Sequence, residues 1–251
     1  MDSNERVIIE FERKAFDEQR RIDSMPRILF KYKAVNNVTD LTRLFEIFKE
    51  NKIFMPTYEL LNDPLEGVSS RLLIGADENA REKERKKWQI LSLSQNGLIP
   101  SLWAYYAGEY SGVSIGFKTH NTFDEANKIE YVSKQSSWSV DPALSVYNDL
   151  FVKNYSWESE QEWRVVREGC FDDNGNILNP HFNFSEDDIV CVFLGCKMKE
   201  IIQQIITDNK PKAAKIFIVE PDIGKYRIYA KDIDTHAQVY TMEELYSLLK
   251  L

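Results

Sequence analysis

Two acidic residues and one basic residue stand at alternating positions in the second half of the chain. If Glu160, Glu162 and Arg164 lie on a strand, their side chains point to one face. Trp163 would then point to the opposite face and anchor the carboxylates in the core, as a chemical site requires. Burial of both carboxylates would raise the pKa of one of them. The alternative is a solvent-exposed face on which Arg164 compensates Glu162.

An aromatic segment could supply a flat surface for a ligand ring. Trp103 and Tyr106 share a face at helical spacing, a pattern that is typical of a core. Tyr105 and Tyr106 also carry hydroxyl groups, so either could stack on a planar ring and form a hydrogen bond at its edge.

A third segment combines amide and carboxylate side chains with a proline. Pro64 favours an extended conformation of Asp63, and Asn62 and Asp63 can bond to their own backbone. The segment is therefore either a rigid turn or a loop that presents Asp63 or Glu66 to a ligand.

The elements that must position these residues follow from hydrophobic spacing. Alternation predicts strands, and 3.6-residue spacing predicts helices between them at irregular intervals. This pattern indicates an α+β fold with a mixed or antiparallel sheet core and flanking helices, over a single domain from 25 to 251. An amphipathic helix is expected over 1–24. The strands include 28–33, 90–94, 112–118, 162–167 and 189–194, and the helices include one after Thr39 or Asp40, one after Ser101 and most of 141–155.

Composition excludes several classes of protein. The chain has 32 Lys and Arg against 40 Asp and Glu, a net charge of −8, which argues against a general DNA binder but leaves a local basic groove open. No apolar run is long enough for a membrane helix, and the N-terminus lacks the apolar core of a signal peptide. The cysteines lack metal-ligand spacing, so we expect reduced thiols, no bound metal and a cytoplasmic protein.

These segments, in this order, resemble the mainly bacterial family named domain of unknown function 2971. The resemblance runs from about residue 29 to 195, and its matches are weak singly but fairly specific as an ordered set. The chain departs from the family pattern at Lys33, where Arg is usual, and at Leu61 and Leu65, where Phe is usual. A lysine in place of the arginine would weaken bidentate phosphate binding. The matching segments are 29–33, 62–66, 91–94, Trp103 and Tyr106 with 112–117, and 157–164.

The same order is similar, more distantly, to the plan of the ADP-ribosyltransferase superfamily. That likeness implies NAD as the substrate, Lys31 or Lys33 on its pyrophosphate, Tyr106 stacked on nicotinamide, and a catalytic Glu162 with Glu160 beside it. A fixed anion suits cleavage of a glycosidic bond to a cationic leaving group. Together with the three segments described above, this likeness gives the full set of residues that we expect to bind the cofactor: Lys31, Tyr32, Lys33, Asn62, Asp63, Tyr105, Tyr106 and Arg164.

We therefore expect an ADP-ribosyltransferase-like, NAD-using effector of a bacterial antiviral defence or toxin–antitoxin system. Its acceptor would be a nucleic acid or a protein, and an antitoxin or sensor would bind the N-terminal helix. The alternative is a non-catalytic ligand- or protein-binding module, such as a defence adaptor. A metal-dependent nuclease, with magnesium on Asp63, Glu66, Glu160 and Glu162, is less favoured. No lysine stands in the usual place beside Glu160 and Glu162, and the net charge repels a polyanion.

Overall fold

The computed structural model describes residues 25–64, 66, 83, 85–120, 122–132, 146–172 and 177–251. The expected N-terminal helix over 1–24 lies outside these residues. It is also the segment expected to bind a companion protein. The described strands are β1 Ile28–Lys33, β2 Lys52–Phe54, β3 Trp88–Ser94, β4 Val113–Lys118, β5 Asn127–Lys128, β6 Glu130–Val132, β7 Val152–Asn154, β8 Glu162–Glu168, β9 His181–Asn183, β10 Ile189–Leu194, β11 Lys215–Asp222, β12 Arg227–Asp232 and β13 Gln238–Val239.

Nine of these strands form one sheet in the order β13-β12-β11-β10-β4-β1-β3-β8-β5. Its neighbours run antiparallel except β10 and β11, which are parallel. Two small sheets, β2 with β9 and β6 with β7, flank it. The predicted α+β class with a mixed sheet is confirmed.

The large sheet is nearly divided between β1 and β3. β1 pairs with β4 along its whole length, and β3 pairs with β8 along its whole length. β1 and β3, in contrast, pair only at Phe30 and Ser94. Backbone groups beyond that position are therefore available to side chains and ligands instead of to a partner strand.

The described helices are α1 Val38–Glu50, α2 Pro100–Tyr105, α3 Val146–Asp149, α4 Glu200–Asn209 and α5 Met242–Leu249. Helices cover both faces of the large sheet. One hydrophobic cluster joins Leu29 and Trp163 to α1 and α4, and a second joins Phe30 and Trp103 to α2 and α5. Alternation along the central strands supplies both clusters, because successive side chains point to opposite faces.

Three of the local predictions are wrong. Asn37, not Thr39 or Asp40, caps α1, since its side-chain oxygen accepts a bond from the Asp40 amide at 2.9 Å. α2 begins with Pro100 at its first position and has no side-chain cap, so Ser101 does not cap it. Within 146–155 only α3 is an α-helix, and β7 follows it where a helix was predicted.

Candidate active site

A cavity of about 210 Å³ opens beside the near-break between β1 and β3. Three segments form most of its wall: β1, β3 and the loop that follows β2. The lining brings together six predicted site residues, namely Lys31, Tyr32, Asn62, Tyr106, Glu160 and Glu162. The remaining lining residues are Phe30, Pro56, Leu60, Leu61, Glu66, Ile90, Ser92, Leu93, Ser94, Leu102 and Lys153.

Glu162 begins β8 and points away from the core tryptophan, as predicted. Trp163 is 1% exposed on one face of the strand, while Arg164 is completely buried on the other. The alternative of a solvent-exposed charged face is therefore wrong. Glu160 is not on the strand, because it ends a 3₁₀ turn over Tyr155–Glu160, and Gln161 follows in a left-handed conformation at φ 50°. This turn still brings Glu160 beside Glu162 at the cavity.

Lys153, on β7, lies at the centre of the carboxylates. Its Nζ is 2.6 Å from Glu160 Oε2, 3.0 Å from Glu162 Oε2 and 3.0 Å from Glu66 Oε1. The ring of Trp157 lies beneath the same amine, 5.0 Å from Nζ to the ring centroid. The sequence has no lysine in the usual motif position beside Glu160 and Glu162, but the fold brings Lys153 to both of them from β7. The four carboxylates of the nuclease alternative do not all meet, since Glu66, Glu160 and Glu162 surround an ammonium and Asp63 is not among its contacts.

Arg164 also binds Glu162, through Nε and one of the two terminal nitrogens of its guanidinium. Its Nε donates to Glu162 Oε1 at 2.7 Å, and its Nη2 donates to Glu162 Oε2 at 3.0 Å and to Glu66 Oε2 at 2.5 Å. Nη1 donates to the carbonyl of Leu150 at 2.7 Å. Arg164 thereby holds Glu66, and with it the loop after β2, against β8.

Arg164 and Lys153 give Glu162 and Glu160 different pKa values. Burial alone would raise the pKa of Glu162, but Arg164 and then Lys153 outweigh it and hold this pKa at about 2. Burial raises the pKa of Glu160 above its ordinary value, because Lys153 opposes the rise only in part and Glu162 adds to it. The sequence expectation that one of two neighbouring carboxylates has a raised pKa agrees with this difference.

Tyr106 connects the aromatic segment to the carboxylates. Its hydroxyl donates to Glu160 Oε1 at 2.8 Å and accepts from Asn62 Nδ2 at 2.6 Å. Tyr106 follows α2 directly, so the helix end, the loop after β2 and the turn before β8 meet at one hydroxyl. Burial, followed by the charge on Glu160, raises the pKa of Tyr106 and keeps the phenol protonated.

Lys31 is a cavity cation of a different kind. Its Nζ donates to the backbone carbonyl of Ser92 at 2.8 Å, in the gap between β1 and β3. Within the described residues its amine forms no ion pair with a carboxylate, although Glu162 contributes at longer range. Burial, followed by repulsion from Lys33, lowers its pKa to about 8. A half-buried ammonium of this kind is available to an anionic group of a ligand.

The other predicted residues have different positions. Tyr32 lines the cavity with its ring, while its hydroxyl donates to the carbonyl of Asn96 at 2.8 Å and accepts from the Ile99 amide at 3.2 Å. Arg164 lies behind the carboxylates and is not among the lining residues. Lys33, Asp63 and Tyr105 are also outside the lining, and Tyr105 is 72% exposed.

The arrangement can hold a fixed negative charge against one end of a bound molecule. Glu66, Glu160 and Glu162 face Lys153 and Arg164, so this buried cluster carries one net negative charge when all five groups are ionised. Lys31 is a further cation in the lining of the same cavity. In a site of low dielectric constant, the negative charge of such a cluster stabilises a positive charge that develops on a ligand. Within the described residues, no group of three or more His, Cys, Asp or Glu side chains is arranged to hold a metal ion, and no helix is long and apolar enough to cross a membrane.

Comparison of the chain with protein-family models, with curated proteins and with solved structures found no match. The two resemblances stated from the sequence motifs therefore stay predictions, and the site is interpreted from its own geometry.

Proposed function

We propose that the protein is an NAD-using ADP-ribosyltransferase-like enzyme whose reaction takes place at the cavity between β1 and β3. The observation that carries this proposal is the position of Glu160 and Glu162, two buried carboxylates with unlike pKa values that face a cavity also lined by Tyr106 and Lys31. In keeping with the resemblance, we propose that it serves as an effector with a nucleic-acid or protein acceptor.

Glu162 supplies the fixed anion in this reaction. When the bond between the ribose C1′ and the nicotinamide nitrogen breaks, its electron pair leaves with nicotinamide and C1′ becomes electron-poor. A carboxylate with a pKa of about 2 is ionised at every physiological pH and needs no proton transfer to stabilise that centre. Because Arg164 and Lys153 hold both of its oxygens, the carboxylate does not have to reorganise during the step.

Glu160 accepts the proton of the incoming group. The acceptor hydroxyl or amine attacks C1′ as nicotinamide leaves, and the new bond to C1′ forms while the nucleophile loses a proton. A carboxylate with a raised pKa is the better base of the two, since basicity increases with pKa. The proton ends on Glu160, and the atoms and charges of the transfer balance.

The cavity size indicates which part of the dinucleotide it would hold. About 210 Å³ is less than the roughly 300–1,000 Å³ of a site that encloses a drug-sized ligand. One ring and its ribose are therefore the part that would enter, beside Tyr106 and the apolar side chains of Leu61 and Leu102. The phosphates would remain at the edge of this volume, and Lys31, which lines the cavity, is the cation that would contact them.

The direct test compares Glu162→Gln with a control on the same strand. Nicotinamide release from NAD is followed by chromatography, with and without candidate acceptors. We expect Glu162→Gln to lower turnover by about 100- to 1,000-fold, the usual effect of removing one charge-stabilising group. Glu168→Gln, which changes an exposed glutamate at the far end of β8, should leave turnover unchanged. Equal activity of the two variants would remove Glu162 from its role.

A binding module without turnover is the second candidate function. The observation that favours it is the local compensation of Glu162, since Lys153 binds one of its oxygens and Arg164 binds both. Under this alternative, nicotinamide or NAD would raise the melting temperature, yet neither would be converted. A thermal shift with intact NAD after long incubation would support binding over catalysis.

A further inference from the structure

Two short strands carry the residues that surround the catalytic carboxylates from behind. β6 and β7 are parallel, and their register places Tyr131 opposite Lys153. The Tyr131 hydroxyl accepts a hydrogen bond from the Glu162 amide at 2.8 Å, while the Lys153 amine binds the side chains of Glu160 and Glu162. The sheet of β6 and β7 therefore binds both the backbone of Glu162 and the side chains of Glu160 and Glu162.

Lys153 is more deeply buried than lysines normally are. Its side chain is 3% exposed, and its amine contacts three carboxylates that come from two different parts of the chain. Burial alone would lower the pKa of this amine, but Glu162, Glu66 and Glu160 together raise it, so the ammonium is permanent. A permanent buried ammonium of this kind compensates the charge of the carboxylates that surround it.

The two carboxylates depend on Lys153 to different degrees. Glu162 has a second cation, because Arg164 binds both of its oxygens. Glu160 receives bonds from Lys153 and from the neutral Tyr106, and within the described residues Lys153 is the cation that contacts it. Two carboxylates that share a site cannot both stay ionised without a compensating charge.

We propose that Lys153 is a positioning residue that keeps Glu160 ionised and aligned beside Glu162 at the cavity, a role that rests on the proposed function for its effect on the reaction. Lys153 itself does not touch the reacting atoms. Its ammonium allows one carboxylate to act as the fixed anion while its neighbour remains a base. Tyr131 supports the same arrangement through the backbone of Glu162.

The groups that face Lys153 define what the experiment must control. They are Glu66 from the loop after β2, Tyr106 after α2, Tyr131 on β6, Glu160 on the 3₁₀ turn, and Glu162 with Arg164 on β8. Lys153→Met removes the cation and leaves the cluster with excess negative charge. Lys153→Met combined with Glu66→Gln removes one charge of each sign, so the net charge of the cluster is kept.

The test measures the pKa of each carboxylate by carbon NMR of glutamate-labelled protein, with Glu160→Gln and Glu162→Gln to assign the signals. In the double variant, we expect the pKa of Glu160 to rise by between about one and three pH units, the usual effect of losing a nearby opposite charge. The pKa of Glu162 should remain below its ordinary value, because Arg164 is intact. Lys49→Met, an exposed lysine on α1, is the control and should change neither.

The possible outcomes separate this role from the proposed function. An unchanged pKa of Glu160 in the folded double variant overturns the proposal, and so does a failure of both variants to fold, since Lys153 would then be purely structural. If wild-type protein does not consume NAD, the proposed function fails while the NMR result still decides the role of Lys153. If NAD is consumed, the acid side of the pH–rate profile should move with the pKa of Glu160.

Discussion

Arg164→Met is the substitution whose effect on stability can be worked out most fully from the structure. Arg164 is completely buried, and it donates three hydrogen bonds to Glu162 and Glu66 and a fourth to the Leu150 carbonyl. Methionine fills similar space but leaves two buried carboxylates with Lys153 as their remaining cation. Breaking a buried ion pair from one side costs about 3–5 kcal/mol. We expect a loss of that size in the free energy of unfolding at pH 7.

The loss of unfolding free energy in Arg164→Met should become smaller at acidic pH, because it depends on the lowered pKa of Glu162. A pKa of about 2 in the folded protein against an ordinary 4.5 corresponds to about 3 kcal/mol of stability. Because this pKa is lowered on folding, the contribution is complete above pH 4.5 and is lost as the pH falls toward 2. Without Arg164 the folded and unfolded pKa values lie closer together, so most of this pH dependence disappears.

Urea unfolding of wild type and Arg164→Met between pH 7 and pH 3 provides the measurement. The difference in unfolding free energy should be largest near neutral pH and should shrink by about 2 kcal/mol by pH 3. Comparing the two proteins cancels the titration of carboxylates that both share. A difference that stays constant over this range would show that Arg164 does not hold the pKa of Glu162 low, and the electrostatic account of the site would be refuted.

Three further predictions concern the cavity and its support. The first concerns the affinity of the wild type for inorganic pyrophosphate, measured by calorimetry, which should fall as the pH rises through about 8 because Lys31 loses its positive charge. Lys31→Met should lower this affinity by about tenfold at pH 7. A wild-type affinity that stays constant from pH 7 to 9.5 would contradict the role of Lys31. Tyr106→Phe removes the hydroxyl that Glu160 and Asn62 share, so it should cost about 1–2 kcal/mol in urea unfolding, whereas a neutral effect would show that the two hydrogen bonds contribute nothing. Gly112→Ala should destabilise the fold by about 1–3 kcal/mol, because a Cβ would lie 2.2 Å from the Lys33 carbonyl, and an unchanged unfolding midpoint would contradict that contact.

The sequence was sufficient for the parts of the site that a strand period controls. Alternation along β8 correctly placed Trp163 in the core and Glu162 with Arg164 on the other face. The same period correctly predicted the bounds of β1, which carries Lys31 to the cavity. The placement of these side chains depends only on the face of the strand that each one occupies. The two-residue repeat of a strand determines that face.

Lys153 was missed because its position depends on pairing between distant segments. The spacing of apolar residues over 141–155 favours a helix, but tertiary pairing with β6 makes 152–154 a strand. Its partner Glu66 lies in the connection between β2 and β3, far from Lys153 in the sequence. A charged residue in a predicted helix gives no local signal of burial, so only the arrangement of strands could reveal it.

Replacing Glu160 and replacing Glu162 should change the pH dependence of turnover in different ways, and this difference tests the site most closely. Glu162 is ionised throughout the neutral range, so Glu162→Gln should lower nicotinamide release by a similar factor at every pH. Glu160 has a raised pKa, and as the base it must be ionised, so wild-type turnover should fall on the acid side as Glu160 takes up a proton.

Glu160→Gln should lower turnover and also abolish this acid-side fall, since the residue that titrates is gone. Tyr106→Phe provides the matched comparison, because it removes a hydrogen bond to ionised Glu160 and should move the fall to higher pH without abolishing it. If Glu160→Gln kept the wild-type profile and Glu162→Gln removed it, the two roles would have to be exchanged. Distance to the reacting carbon, and not the number of cations around each carboxylate, would then determine which of the two is the base and which is the fixed anion.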